Sequence, residues 1–474
     1  MKRVQDPVHG LMEFHGMEEF VIELLQAREI QRMRRIRQLG LASLVYPGAD
    51  HSRFAHSLGA AYITSRFAAA LRVASQHFLA EDLQADEEIG RDLVVAAICH
   101  DVGHGPLSHV WERHVVGTYS SREWRQSLGV PPKPWINDKM KWHELVTQAF
   151  LLNENSDLHQ RLEQLETGAA ERVAGLIAGD YFLPYLARLF DSDVDVDRCD
   201  FVIRDAHHTG VGYGRFDLQW LVSTITVGVD QHGSPVVGFD RAKAPRAIEQ
   251  LLIARRALYN TVYFHRGVRG AERMMGRLME LLATSDAGDL ERLARRPRRW
   301  AAFERAVRRL PMTFEQVRSL DDFALDVFVT ELADSAKDPI IRDLAGRLAV
   351  RQLFKPLPLA DRKLDEFLFD GDRSLAAINA GLIEAGYEHP DAYRVSDTQD
   401  LSFFEASPER TAYFVDQSDS ARLATPISEH PELAHYRSDV QPYHWMFVPA
   451  DAIRPVMRAI ERSRRPSART THPV

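Results

Sequence analysis

Residues 98–110 read ICHDVGHGPLSHV, and their reading decides the fold. An apolar run, Leu93 to Cys99, stops abruptly at His100, Asp101, His104 and His109, with Gly103, Gly105 and Pro106 between them. The run predicts a buried central helix, and the glycines and proline predict its end. On a helix the side chains of His100 and Asp101 point about 100° apart. A short carboxylate and a longer imidazole can still converge on one ion where the helix stops. His104 lies one turn further on, where it is expected to face the same pocket. A single buried histidine usually serves packing, so this stretch alone leaves two readings: satisfied core hydrogen bonds, or metal ligands.

The rest of the chain suits a large buried core. Of its 474 residues, 45% are hydrophobic and 27% charged, as in ordinary globular proteins. The formal net charge of -8 argues against a general nucleic-acid coat protein. Two cysteines, Cys99 and Cys199, form no CxxC pair, so neither a disulfide framework nor a zinc ribbon is expected. The opening MKRVQDPVHG has no signal-peptide core, and no apolar stretch reaches the roughly 18–20 residues of a membrane span. A cytoplasmic protein with no membrane partner is expected.

The periodicity predicts a mainly α fold. Helical patterns run over Met17–Leu39 (with Arg32, Arg34, Arg35 and Arg37 on its polar side), Arg53–Phe78, Arg91–Asp101, Val194–His208 and Ala244–Leu282. Trp124–Met140 reads as a loop around PPKP, and TITVGVDQHGSPVVGF as a small hairpin. TAYFVDQ and YHWMFVP predict strands in a smaller mixed α+β region. The expected division is a core over 1–285, a helical extension over 286–356, the small region over 357–462 and a disordered tail over 463–474. The arginines between Leu290 and Leu310 read as a solvated helix face.

Two further motifs favour the metal reading. His56 sits in RFAHSLG on a helix of small residues, and Asp197 in DVDRCDFVIRDAHH, where charges interrupt an apolar helix. Two histidines with carboxylates and no thiolate suit a divalent cation such as Mn, Fe, Mg or Zn. The ordered pattern of His56, His100–Asp101 and Asp197 resembles the signature of the HD-domain metal phosphohydrolases. DPVHG, RRIRQLG, HSRFAHSLG, CHDVGHGPLSH, KWHE, DVDRCD and RDAHHTG are similar to the deoxynucleoside-triphosphate triphosphohydrolases of that family, which include the vertebrate sterile-alpha-motif/HD-domain protein. The similarity runs from about Asp6 to Lys355 and is weaker beyond.

The resemblance implies an HD-type helical core. It also implies hydrolysis of a dNTP at the α-phosphate to deoxynucleoside and triphosphate. It assigns His56, His100, Asp101 and Asp197 to the metal. His104, His109 and His143 become catalytic histidines, with His109 as donor to the leaving 5′-oxygen and Glu112 and Asp205 orienting them. Gln38, Leu39, Arg53, Arg198, Phe201, Arg255, Tyr259 and Tyr263 fall at substrate positions. Three depart from the best-studied relative: Arg198 replaces lysine, Phe201 tyrosine and Tyr259 histidine. The lost hydroxyl at Phe201 weakens the expectation of deoxyribose selectivity.

Relatives assemble around nucleotides, and Lys2, Arg241, Lys243, Arg351 and Lys355 match residues that hold regulatory phosphates. Gln31 and Arg34 match neighbours in a guanine pocket, whereas Gln26 replaces the aspartate that reads guanine. The expected partners are therefore a nucleoside triphosphate and further copies of the chain, as a dimer or tetramer. Two other readings stay open: an HD phosphohydrolase acting on a ribonucleotide or second messenger, and a nucleotide- or nucleic-acid-binding protein without turnover.

Overall fold

The computed structural model describes residues 3–113, 121–285, 288–290, 298–358, 371–404, 410–436 and 440–464. Lys2, part of the arginine-rich run (291–297) and most of the expected tail lie outside the described residues. Those described are mostly helical, as the periodicity predicted. They pack as two compact units interleaved along the chain: Met1–Tyr263 with Leu290–Val327 and Leu401–Gln441, and Phe264–Asp289 with Phe328–Asp400 and Pro442–Val474.

The first unit opens with an antiparallel hairpin, β1 (Arg3–Asp6) and β2 (Gly10–Glu13), in which Asp6 pairs with Gly10. Its centre is α1 (Arg53–Gln76) packed along α2 (Glu87–Cys99). Ser52 and Asp86 cap the two helices by accepting from Ala55 and Ile89. Leu93 to Cys99 are buried, as their unbroken apolar run required. Helix α3 (Trp142–Leu152) packs on the helix Ala169–Ala178, which lies along α2, and α4 (Val196–Thr209), capped by Asp195, packs on α1. The TITVGV segment forms β3 (Ile225–Val229) and β4 (Pro235–Asp240), followed by α5 (Pro245–Leu258).

Strands β5 (Lys355–Pro356) and β6 (Val395–Ser402) precede β7 (Tyr413–Val415), β8 (Ala424–Pro426) and β9 (Val440–Val448). β7 and β8 join the first unit's hairpin in a sheet of order β3-β4-β7-β8, with β7 parallel to β4. The second unit has the sheet β5-β9-β6 and the helices Arg266–Thr284, Pro339–Ala349, Asp372–Glu384 and Ile453–Arg464.

Three local expectations need correction. Residues Ser121–Leu128 are helical, because Trp124 and Leu128, one turn apart, both reach the core; the loop starts after them. Met17–Leu39 is broken into Glu18–Leu24, Arg28–Arg32 and a 3₁₀ turn at Met33–Arg35. Arg32 is buried rather than on a polar face, because three carbonyls need its guanidinium. The long helix expected over Ala244–Leu282 is interrupted by a π turn at Tyr259–Tyr263. Among the described residues no helix is long and apolar enough to cross a membrane.

Candidate metal and phosphate site

His56 faces inward from the first turn of α1, and His100 ends α2. The Nδ1–H of His56 donates to Asp200 Oδ2 at 2.8 Å, and that of His100 to the Ala97 carbonyl at 2.8 Å. Both Nε2 atoms are buried and have no hydrogen-bond partner. They lie 2.8 and 3.7 Å from Asp197 Oδ1, a side chain placed by the first turn of α4. Asp101 approaches the same two nitrogens at 3.7 and 3.6 Å. Two outward lone pairs and two carboxylates around one point fit a divalent cation, and the donor set is the hard-to-borderline mixture such ions take.

The electrostatics agree with that reading. Burial pulls the His56 pKa down, but the Asp197 and Asp200 carboxylates outweigh it and raise it to about 10. Asp197 is held well below the usual carboxylate range by His100 and His56, against its burial. A pocket that favours a proton this strongly favours a dication by the same field.

The segment after α2 is pinned on several sides. The Arg32 guanidinium donates to the carbonyls of Val102 (3.1 Å), His104 (2.7 Å) and Leu320 (2.8 Å). Asp322 accepts from the amides of Leu107 (2.8 Å) and Arg37 (2.9 Å). Gly103 lies against α3: a Cβ there would sit 2.1 Å from the His143 carbonyl oxygen. The chain then passes through Leu107 and Ser108 at φ of 54° and 51°, a strained left-handed stretch for residues with a Cβ.

This path sets His104 at the join of two groups: its Nε2 lies 3.3 Å from Asp101 Oδ1, on the side of the first pocket that one-turn spacing had suggested, while its ring belongs to a second cluster. Its ring stacks on His143 with centroids 4.1 Å apart, and His109 meets it edge-on at 5.3 Å. Glu112 accepts from the ring of His143 and from its amide, and its other oxygen lies 3.5 Å from His109 Nδ1. Burial, then the charge of Arg53 and the neighbouring His143, hold His104 well below the usual histidine range and so neutral. His143 and His109 outweigh burial to keep Glu112 ionised. His104, Glu112 and His143 bring one ligand atom each within 4.8 Å of one another, but parallel rings at this separation cannot both direct lone pairs at one ion. Arg53 stands between the groups, contacting Asp101 and donating to Ser108 Oγ at 2.8 Å.

The other predicted residues are placed as follows. Gln38 and Leu39 follow an antiparallel bridge between Arg37 and Ser52, which sets Gln38 opposite His51, whose carbonyl accepts from the Gln38 amide at 2.9 Å; Gln38 Oε1 is buried and unpaired. Asp197, Phe201 and Asp205 share one face of α4 at four-residue spacing. Asp205 is not brought to His104, His109 and His143: its carboxylate accepts from His51 (2.7 Å) and from the Tyr263 hydroxyl (2.6 Å). The π turn sets Tyr259 against Tyr263 at 4.8 Å, with Arg255 over the Tyr259 ring. Arg198 contacts Asp195 and the Ser192 carbonyl at the start of its own helix.

Gln31 accepts from Arg34, whose guanidinium lies 3.6 Å from the Phe54 ring centre, while Gln26 is exposed and bonded to Glu23. Arg241 and Lys243 are exposed in the same unit, and Lys243 pairs with Asp240. Arg351 and Lys355 are exposed in the second unit. Sequence reasoning passed over Asp200 and Arg32. The spacing of Asp200 three residues after Asp197 was a usable signal; nothing in the sequence separates Arg32 from its exposed neighbours.

An HD-domain family profile matches residues 53–172. The chain is 30% identical over 360 residues to YwfO, an uncharacterized protein of Bacillus subtilis, covering 75% of this chain and 71% of that one. It is 32% identical over 277 residues to MJ1154, an uncharacterized protein of Methanocaldococcus jannaschii, and spans 49% of that protein's length. Over 220 residues it is 30% identical to the deoxynucleoside triphosphate triphosphohydrolase SAMHD1 of Bos taurus, spanning 36% of its length. Among solved structures, a phosphohydrolase of Bacteroides thetaiotaomicron, BT4208, has the same fold, with a TM-score of 0.69 over 94% of this chain and 99% of that one at 20% identity.

Proposed function

Since the chain belongs to the HD-domain phosphohydrolases, we propose that it hydrolyses nucleoside triphosphates, dNTPs first among them, at the α-phosphate, releasing nucleoside and intact triphosphate. The observation that carries this reading is the adjacency of two different constellations. The pocket of His56, His100, Asp101 and Asp197 suits a cation, and beside it His104, His109, His143 and Glu112 suit proton transfer. A divalent cation in the pocket supplies Lewis acidity toward a phosphoryl oxygen and the attacking water.

The chain's own residues do the rest. Arg53 offers its fork to the α-phosphate beside Asp101. His109, with an exposed side chain, donates a proton to the 5′-oxygen as the phosphorus–oxygen bond breaks. The attacking water leaves its hydroxyl on phosphorus, and its other proton passes to solvent, from which His109 is reprotonated. Glu112 orients His143 and His109, and neutral His104 lines the same wall. Gln38, Leu39, Arg198, Phe201, Arg255, Tyr259 and Tyr263 are assigned to substrate; Arg198 reaches a phosphate only by leaving Asp195.

A dimer or tetramer assembled around nucleotides in the cytoplasm belongs to the same proposal. It rests on Lys2, Gln31, Arg34, Arg241, Lys243, Arg351 and Lys355, with guanine preference weakened at Gln26. Phe201, whose ring presents no hydroxyl beside Tyr263, favours one second reading, a ribonucleotide or another phosphate compound.

The test is product analysis by chromatography with Mn²⁺, each dNTP and NTP singly and mixed, beside an Asp101→Ala control. Deoxynucleoside plus triphosphate, absent in the control, is the expected result. Release of phosphate or pyrophosphate overturns the mechanism, and NTP turnover moves the reading to its second form. Binding without turnover overturns the enzyme reading.

A further inference from the structure

Behind the metal pocket lies a buried ionic network that the proposed reaction does not use. Asp200 is fully buried, and donors surround its carboxylate. Oδ2 accepts from His56 Nδ1 (2.8 Å) and Arg204 Nε (2.7 Å); Oδ1 accepts from His9 Nε2 (2.6 Å) and an Arg204 terminal nitrogen (3.1 Å). Arg204 reaches on to Asp6 Oδ2 at 2.9 Å. Asp6 Oδ1 in turn accepts from the amides of Val8 and His9, at 2.9 Å each, and so shapes the turn that carries His9. Gly59, on the helix of His56, leaves room for the network: a Cβ there would lie 2.0 Å from Asp200 Oδ1 and 2.3 Å from Arg204.

We infer that His9, in the turn between β1 and β2, is a positioning residue for the metal centre, acting through Asp200 on His56. The Arg204 fork spans both oxygens, but its contact with Oδ1 is the longest of the four, and the short contact from His9 is what holds Oδ1 toward the hairpin and leaves Oδ2 on the imidazole. With four donors it has one orientation, which keeps the proton of His56 on Nδ1 and the lone pair of Nε2 directed at Asp197 and His100. The N-terminal hairpin, remote from the reacting atoms, thereby becomes part of the metal affinity. This rests on the metal reading of the pocket above.

The experiment is calorimetric titration of the chelator-treated full chain with Mn²⁺ alone, together with thermal unfolding of each metal-free protein. Asp200→Asn is expected to weaken Mn²⁺ binding ~10–100-fold, and His9→Ala about tenfold. His9→Gln, whose amide can donate to Asp200, is expected to restore most of that loss. Should Asp200→Asn fail to fold, the pair His9→Ala and His9→Gln decides. Unchanged affinity in the folded His9 variants, with only a lower metal-free Tm, overturns the inference and leaves the network a structural strut. Wild-type protein that binds no Mn²⁺ sinks the metal reading and this inference together. Binding lost in Asp197→Ala but kept in His9→Ala and Asp200→Asn sinks this inference alone.

Discussion

Arg32 shows how one residue can hold a site it never touches. Burial lowers its pKa to about 10, which still leaves the guanidinium charged at neutral pH to serve three carbonyls. Arg32→Met is expected to leave those carbonyls unpaired and to cost at least ~3 kcal/mol in urea unfolding, with Arg32→Lys recovering only part. Asp322, which holds the same segment, has its pKa raised to about 6 by burial, against the pull of its two amide donors. Its contribution to stability is therefore full below about pH 4 and lost as pH rises through about 6. The Tm advantage of wild type over Asp322→Asn should accordingly shrink between pH 4 and 7; a constant difference would refute the assignment. Neither role was legible in the sequence. An arginine among arginines and an aspartate opening a helix look like solvent-facing charges until the carbonyls and amides they meet, at separations from 70 to 288 residues, are known.

At the scale of elements, the parts with strong local periodicity were legible: α1, α2, α4 and the hairpin β3–β4 lie close to where pattern placed them. What failed was local geometry that pattern does not encode. A π turn adds one residue to a turn without changing composition, yet it puts Tyr259 and Tyr263 ring to ring. The break in Met17–Leu39 and the helix around Trp124 likewise follow from tertiary burial, not propensity. The close approach of α3 to the segment after α2 is a testable case. Gly103→Ala should push His143 away from Glu112, costing about 1–3 kcal/mol of stability and most of the turnover. A fully active, equally stable alanine variant would show that α3 can shift without consequence.

For the molecule as a whole, metal binding and folding are linked, because the pocket gathers ligands from α1, from the end of α2 and from α4. Mn²⁺ at a hundredfold excess over its Kd should stabilise the chain by about 2.7 kcal/mol, read as a rise in Tm that chelator reverses and Asp197→Ala abolishes. The motifs of the pocket were legible as a set because each carries its histidine or carboxylate in a short phrase of its own. The interleaving of the two units was not, since a linear reading divides a chain into consecutive blocks and carries no sign that residues after 400 return to the first unit.

That return has a consequence for synthesis. β4 finds its parallel neighbour only when Tyr413–Val415 has been made, and β7 needs β8 in turn. At ordinary translation rates the edge of β4, carrying Phe239, waits roughly 10–35 s on the ribosome while the later strands are built. All the proposed metal ligands have been made long before. A nascent chain halted near residue 400 therefore holds every proposed catalytic group beside an open strand edge that pairs with whatever strand comes first, its own or another chain's.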